Sequence, residues 1–367
     1  MPGLLNESGS EPVSEPIGEP FGAPFSELFT EQVNCTILSS LTHENNSDAT
    51  HDHCFQSWIS CYFTPFKNNL LTCIQGIMLI ALFRFLSFIP LPVLHGIGAT
   101  LGWLVYLLSP AYRRRLTENI RLAGFETSTV QAISEAGKSI LELPFIWFAD
   151  PKRVLAKATI ENWPVAQQAL DQNKGVIFLT PHLGCFEIIA QAIAVKTTLT
   201  ALYRPPRKKT LQPLMMGARS RTNLLLAPAN LGGVKQMLKA LKKGGAVGLL
   251  PDQVPQEGEG VWADFFGRPA YTMTLSSKLH TMTGAPIILT YAERLPWARG
   301  YLIRFVPFEQ LTALSVSGTP EQQATAINQA MEKLISFCPS EYFWSYNRYK
   351  IPAHASTTLP TTSKDDN

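Results

Sequence analysis

Charge is what this chain has least of. Only 16% of its 367 residues are Asp, Glu, Lys or Arg, against about a quarter in an ordinary soluble protein, while 46% are apolar. The net charge of +3 is too small to argue for a nucleic-acid partner. Six cysteines, at 35, 54, 61, 73, 185 and 338, form no CxxC pair. That excludes a zinc ribbon or a redox motif, and a chain of this size needs no disulfide staples, so its main domain reads as belonging to a reducing compartment. The chain carries no internal repeat, which excludes a solenoid.

What is present falls into four segments. Residues 1–65 read as a disordered acidic tail: Glu-Pro recurs at 11–12, 15–16 and 19–20, followed by Ser, Thr, Asn and Asp without apolar periodicity. Such a stretch cannot bury enough surface to offset its chain entropy. It lacks the basic-then-apolar layout of a signal peptide. His43, His51, His53 and Cys54 are scattered polar-tail residues, so no metal site is expected there.

Residues 66–110 read as a membrane-anchoring segment of one or two apolar helices. Leu70 to Ile89 is a twenty-residue run whose one formal charge is Arg84, long enough at 1.5 Å per residue to cross a hydrocarbon core of roughly 30 Å. Pro90-Leu-Pro92 breaks it. Leu91 to Leu108 carries no formal charge and is followed by Arg113-Arg114-Arg115. The pattern fits two spans, or one span followed by an apolar helix skimming the surface. The arginines predict that the chain beyond them is cytoplasmic.

Residues 111–352 form the main domain, and 353–367 a second polar tail. Helical periodicity covers Arg114–Gly124, Ser128 to about Asp150, and Glu161–Gln172. Strand and helix signals then alternate: strand Val176–Leu179 and helix 186–196, strand Leu199–Tyr203 and helix 210–222, strand Leu224–Ala227 and helix 230–243. Strand Ala246–Leu250 leads into a long loop, then helix 272–283, strands 286–292 and 301–306, and helix 320–337. This alternation predicts an α/β fold, a central mixed sheet flanked by helices.

One junction stands out. The apolar run Val176–Leu179 stops at Thr180-Pro181, presents His182, turns through Gly184 and re-enters apolar sequence at Glu187. Open α/β sheets bind ligands at such strand ends. The pattern His-x-x-x-x-(Asp/Glu) is weak alone, since this composition yields roughly half a match by chance, and His43 to Asp48 is such a match in the tail. At a strand end, however, His182 can act as a base while Glu187, a turn later, orients the imidazole. The competing reading is a purely structural His–Glu pair. No Ser, Thr or Tyr lies within the motif, so the hydroxyl it would activate belongs to the substrate.

Between Glu187 and Asp252 the chain has no acid, yet ten cations fall between Arg204 and Lys243: Arg204, Arg207, Lys208, Lys209, Arg219, Arg221, Lys235, Lys239, Lys242 and Lys243. A solvated helix face interleaves both signs, so this block points to an anionic partner, whether lipid headgroup, phosphorylated sugar or acidic carrier protein. Leu250-Pro-Asp252-Gln places a carboxylate at another strand end. An aromatic turn, Asp264-Phe-Phe-Gly267, comes next, and Tyr342-Phe-Trp344-Ser-Tyr346-Asn-Arg348-Tyr-Lys350 closes the domain. Such an aromatic cluster reads as core or interface packing.

In this order, the strand-end His-x-x-x-x-Glu, the Tyr-Arg-Pro step, Arg219-x-Arg221, Pro-Asp-Gln, Phe-Phe-Gly and the closing Tyr-x-Trp-x-Tyr-Asn-Arg-Tyr-Lys resemble the lipid A biosynthesis lauroyl/myristoyl acyltransferases of the lysophospholipid acyltransferase-like superfamily. The resemblance covers about residues 70–352. It implies a glycerolipid acyltransferase-like fold with an N-terminal membrane helix, in the bacterial inner membrane with its catalytic domain on the cytoplasmic side. It also implies acyl transfer from acyl–acyl carrier protein to a hydroxyl of a phosphorylated glycolipid precursor, with the thioester as co-substrate and no metal or organic cofactor. His182 would be the base and Glu187 its partner. Arg219, with Arg221 as the near alternative, would stabilise the oxyanion or bind phosphate. Arg204 and Asp252 would serve substrate binding or site architecture. Two other readings stay open: another lipid acceptor (glycerolipid, ornithine lipid or phosphoinositol mannoside), and a non-catalytic anchor that binds acidic lipid or carrier protein. Loss of transfer on His182→Ala separates enzyme from anchor, and the mass of the acylated lipid separates the acceptors.

Overall fold

A computed structural model describes residues 75–204, Met215 and 222–352. Both tails, the predicted helix 210–222 (Met215 and Thr222 apart), and the cations Arg207, Lys208, Lys209, Arg219 and Arg221 lie outside the described residues.

The predicted central mixed sheet is present, with seven strands in the order β1-β9-β8-β2-β5-β3-β4. They are β1 (Ala158–Glu161), β2 (Val176–Leu179), β3 (Leu199–Tyr203), β4 (Leu224–Pro228), β5 (Ala246–Leu249), β8 (Ile287–Arg294) and β9 (Tyr301–Pro307). β8, β2, β5, β3 and β4 run parallel, and only β8–β9 is antiparallel. The central strands are buried on both faces, which is why Val-Ile-Phe-Leu at 176–179 is continuously apolar rather than alternating.

Helices cover both faces. On one, α5 (Leu143–Phe148), α7 (Trp163–Asp171) and α8 (Phe186–Ala194) pack over Val176, Phe178, Tyr301 and Phe305. On the other, α3 (Pro110–Leu122), α4 (Thr129–Leu141), α9 (Leu231–Lys242), α10 (Leu275–Thr283) and α11 (Pro320–Phe337) enclose Ile177, Leu179, Val247 and Leu289. The short α6 (Pro151–Leu155) precedes β1. The eighteen-residue α11 starts at a capping box, in which Thr319 accepts from Gln322 N while the Gln322 side chain returns the bond. Before α3 lie α1 (Gln75–Leu86) and α2 (Leu91–Leu108).

Of the first apolar run, the described residues include the twelve-residue α1, and residues 70–74 lie outside them. Two expectations need correction. The helix expected from Glu161 starts instead at Trp163, because Ala158–Glu161 forms β1, a four-residue edge strand of alternating exposure with only one neighbour. The loop after β5 holds a hairpin, β6 (Gly260–Phe265) and β7 (Arg268–Met273), that displaces the start of α10 to Leu275. Its two-residue turn, Phe266-Gly267, has φ of 50° and 69°. Hairpin turns with two positive φ angles usually announce themselves as Asn-Gly or Asp-Gly. Phenylalanine in the first position hides this one.

Candidate active site

β2 and β5 are neighbours in parallel register, Leu179 opposite Leu249. Each is followed by the same short pattern, Leu179-Thr-Pro-His182 and Leu249-Leu-Pro-Asp252. The proline cannot donate to the ladder, so pairing stops and both chains leave the sheet in step. The third residue beyond each strand therefore arrives at the same place. His182 Nδ1 lies 2.8 Å from Asp252 Oδ1, and the His182 backbone N–H donates to Asp252 Oδ2 at 2.9 Å. Both side chains are buried.

A carboxylate only accepts, so the imidazole proton sits on Nδ1 and the Nε2 lone pair faces outward. There the Gln253 side-chain amide approaches at 3.2 Å, and the Phe186 ring meets the imidazole edge-on. Burial would raise the Asp252 carboxyl, but the charge and two hydrogen bonds of His182, with Arg348 nearby, hold it below the ordinary value.

The turn that carries His182 is clamped from behind. Gly184 takes φ +60°, and a Cβ there would meet the Ala292 carbonyl oxygen at 1.8 Å, so only glycine fits. Phe343 N donates to His182 O, Gly184 N donates to Glu341 O, and Tyr346 Oη accepts from Val254 N. Arg348 is buried and donates to Tyr271 O and Thr272 Oγ1, both at 2.7 Å. The closing aromatic segment thus does more than fill the core: it fixes the backbone on both sides of the His182–Asp252 pair. Gly184 O also accepts from Arg294, whose guanidinium is buried among Glu135, Glu142 and Glu341.

Glu187 is not the partner of the imidazole in this geometry. It lies in the first turn of α8 and accepts from Trp147 Nε1 at 3.0 Å. The reason is topological: the Nδ1 side of His182 faces the neighbouring strand, and Asp252 at the matching position of β5 is there first. The signal that pairs them, a repeated Leu-x-Pro before His182 and Asp252, is present in the sequence.

Beside His182 opens a cavity of about 430 Å³, also reached by Glu187. Its walls are mostly apolar, with Ala190 from α8, Ala201 from β3, and Leu224 and Leu226 from β4. Arg204 and Lys278 bring positive charge to it. Lys235, Lys239 and Lys242 line the exposed side of α9, the helix whose Leu231 and Val234 also reach the cavity. Among the described residues, no group of three His, Cys, Asp or Glu side chains is arranged to hold a metal.

A mixed α/β sheet with a carboxylate-held imidazole at its strand ends, opening on an apolar cavity, is an arrangement suited to base-assisted chemistry on a lipid-like group. The comparisons specify it. The model of the bacterial lipid A biosynthesis acyltransferase family matches residues 63–351, and the chain belongs to that family. It is 25% identical to the lipid A biosynthesis lauroyltransferase of Escherichia coli K12 over 270 residues, 71% of this chain and 87% of that protein. To the lipid A biosynthesis palmitoleoyltransferase of the same organism it is 26% identical over 286 residues, 74% and 89% of the two chains. A Haemophilus influenzae lipid A biosynthesis acyltransferase is 25% identical over 291 residues, 74% and 88%. The chain is therefore an acyltransferase of lipid A biosynthesis, a bacterial pathway. Its one described helix of spanning length and hydropathy, α2, suggests a membrane anchor.

Proposed function

We propose that this chain transfers a fatty acyl group from acyl–acyl carrier protein to a hydroxyl of a phosphorylated lipid A precursor, forming an acyloxyacyl ester on the cytoplasmic face of the inner membrane. The observation that carries the reading is the His182–Asp252 pair, its outer nitrogen at the wall of an apolar cavity. His182 Nε2 takes the proton of the acceptor hydroxyl as its oxygen attacks the thioester carbonyl carbon. Asp252 holds the ring and stabilises the imidazolium. The tetrahedral intermediate collapses with cleavage of the C–S bond, and the imidazolium returns its proton to the departing thiolate. The thioester supplies the activation, so no cofactor enters the step.

Arg204 supports the anionic side of this reading: it lines the cavity and can take a precursor phosphate or the developing oxyanion. Arg219 and Arg221 keep their proposed substrate-binding role by motif position. The exposed lysines of α9 suit an acidic carrier protein docking beside the cavity. Arg113-Arg114-Arg115, next to the anchor, favours the cytoplasmic orientation. The test is turnover by the membrane-bound full chain with an acyl-carrier thioester and a lipid A precursor, read by product mass. The expected product is one acyl group heavier, and His182→Ala abolishes it. Normal turnover by His182→Ala, or transfer only to glycerolipid acceptors, would overturn the proposal.

A further inference from the structure

Length and hydropathy alone make α2 a spanning helix, at eighteen residues and mean hydropathy 1.6. Its packing does not. One face carries Leu91, Leu94, His95, Gly98 and Gly102, all buried. Gly98 and Gly102, one turn apart, press against α4 so closely that a Cβ on Gly98 would lie 2.8 Å from Gly137 O, and one on Gly102 2.2 Å from Ile133 O. Near the start of α2, His95 Nε2 pairs with Glu142, itself ion-paired to Arg294. Towards its end, Trp103 Nε1 donates to Ser134 Oγ and the Tyr106 hydroxyl meets Thr117. These contacts run nearly the whole helix, about 27 Å. For α2 to cross a bilayer, α4 must enter it too, with Gln131, Glu135 and Lys138.

The opposite face of α2 exposes Val93, Ile97, Leu101, Leu104 and Leu108, an unbroken stripe at spacings of four, four, three and four. α1 continues it: Met78, Leu82 and Phe85 are exposed, as is Phe88 in the link, while Phe83 turns inward and stacks on Trp147. Between residues 70 and 117 there is no acidic residue, and exposed Arg84, Arg113 and Arg114 flank the apolar shelf. An apolar face flanked by these cations is complementary to an anionic lipid leaflet. A second copy of this chain would bring its own arginines to the same rim.

We propose that α1 and α2 lie in the plane of the membrane, their exposed face sunk in one leaflet, and that α2 does not span. This places the cavity against the leaflet. Trp147 stacks on Phe83 of the shelf, lines the cavity and bonds Glu187, so a lipid reaches the neighbourhood of His182 without leaving the bilayer surface. The immersion itself rests on packing and charge, and stands whatever acyl acceptor is used.

The test uses the full chain with Cys35, Cys54, Cys61 and Cys73 replaced by Ser, Cys185 and Cys338 being buried. A single spin label is placed in turn at Val93, Ile97, Leu101, Leu104 and Leu108, in vesicles of phosphatidylethanolamine and phosphatidylglycerol. The collision ratio of oxygen to a polar nickel reagent reports depth, and pulsed distances between labels report dimers. The expected result is one shared depth, about 5–10 Å below the headgroups, at all five positions. A depth gradient passing through the bilayer centre from Val93 to Leu108 would overturn the proposal. So would labels shielded from both reagents with short interchain distances, which would make the shelf a dimer interface.

Discussion

The His182 imidazole and the Asp252 carboxylate are joined twice, by Nδ1 to Oδ1 at 2.8 Å and by the His182 backbone N–H to Oδ2 at 2.9 Å. The second bond ties the main chain of one strand end to the side chain of the next, so ring orientation and loop position are set together. Asp252→Asn keeps the shape but loses the charge that fixes the Nδ1 proton and stabilises the imidazolium. Its kcat is expected to fall about 10²- to 10⁴-fold with KM little changed. Glu187→Gln, which still accepts from Trp147, is expected to lose less than about tenfold. Steady-state rates of thiol release from an acyl-carrier thioester check the ranking. The reverse order would return the orienting role to Glu187.

Cavity shape predicts selectivity. Ala190 and Ala201 are small residues on facing elements, α8 and β3, at the cavity wall. Ala201→Phe should raise KM for long acyl thioesters by about tenfold or more while sparing short ones, since lost apolar contact scales with the methylenes excluded. Competition between two chain lengths in one reaction measures this directly. Equal effects on both would place the acyl chain elsewhere.

Gly184→Ala forces a side chain onto the Ala292 carbonyl at a left-handed backbone position. A loss of about 3 kcal/mol or more is expected, because neither strand end can move without breaking the sheet. Thermal unfolding in detergent should show a clear drop in Tm. Ser in the same place should behave alike, as the obstacle is Cβ.

The buried cluster around Arg294 makes stability depend on pH in two windows. Burial opposes ionisation of Glu142, but the charge of Arg294 and hydrogen bonds from His95 and Arg294 outweigh it and bring its carboxyl down to about 2. A depressed carboxyl stabilises the fold above its unfolded value, here by roughly 3 kcal/mol, and that contribution is lost as pH falls from about 4.5 towards 2. Glu341 runs the other way. Burial, aided by the neighbouring Glu135 and Glu142, pushes it up to about 8 against the pull of Arg294. Its contribution is complete below about 4.5 and is lost as pH rises to about 8. Denaturant unfolding against pH should therefore show Glu341→Gln flattening the alkaline decline, and Glu142→Gln destabilising at neutral pH.

Read alone, the sequence determined the order of the parallel strands' motifs, the helices over them, the cationic, acid-free block and His182 at a strand end. Each is a local matter: continuous apolar runs bury both faces of a strand, and a proline ends a ladder. What depends on neighbours was decided by the fold. The hydrogen-bond partner of His182 Nδ1 is Asp252, seventy residues away, because β2 and β5 lie side by side. The hairpin at Phe266-Gly267 was hidden because its turn conformation is imposed by packing rather than by favoured turn residues. The length and hydropathy of α2 are properties of the sequence. Which face it gives to α4 and which to lipid was decided only by Gly98, Gly102 and Gly137 meeting in three dimensions, where the absence of three side chains brings two backbones into contact.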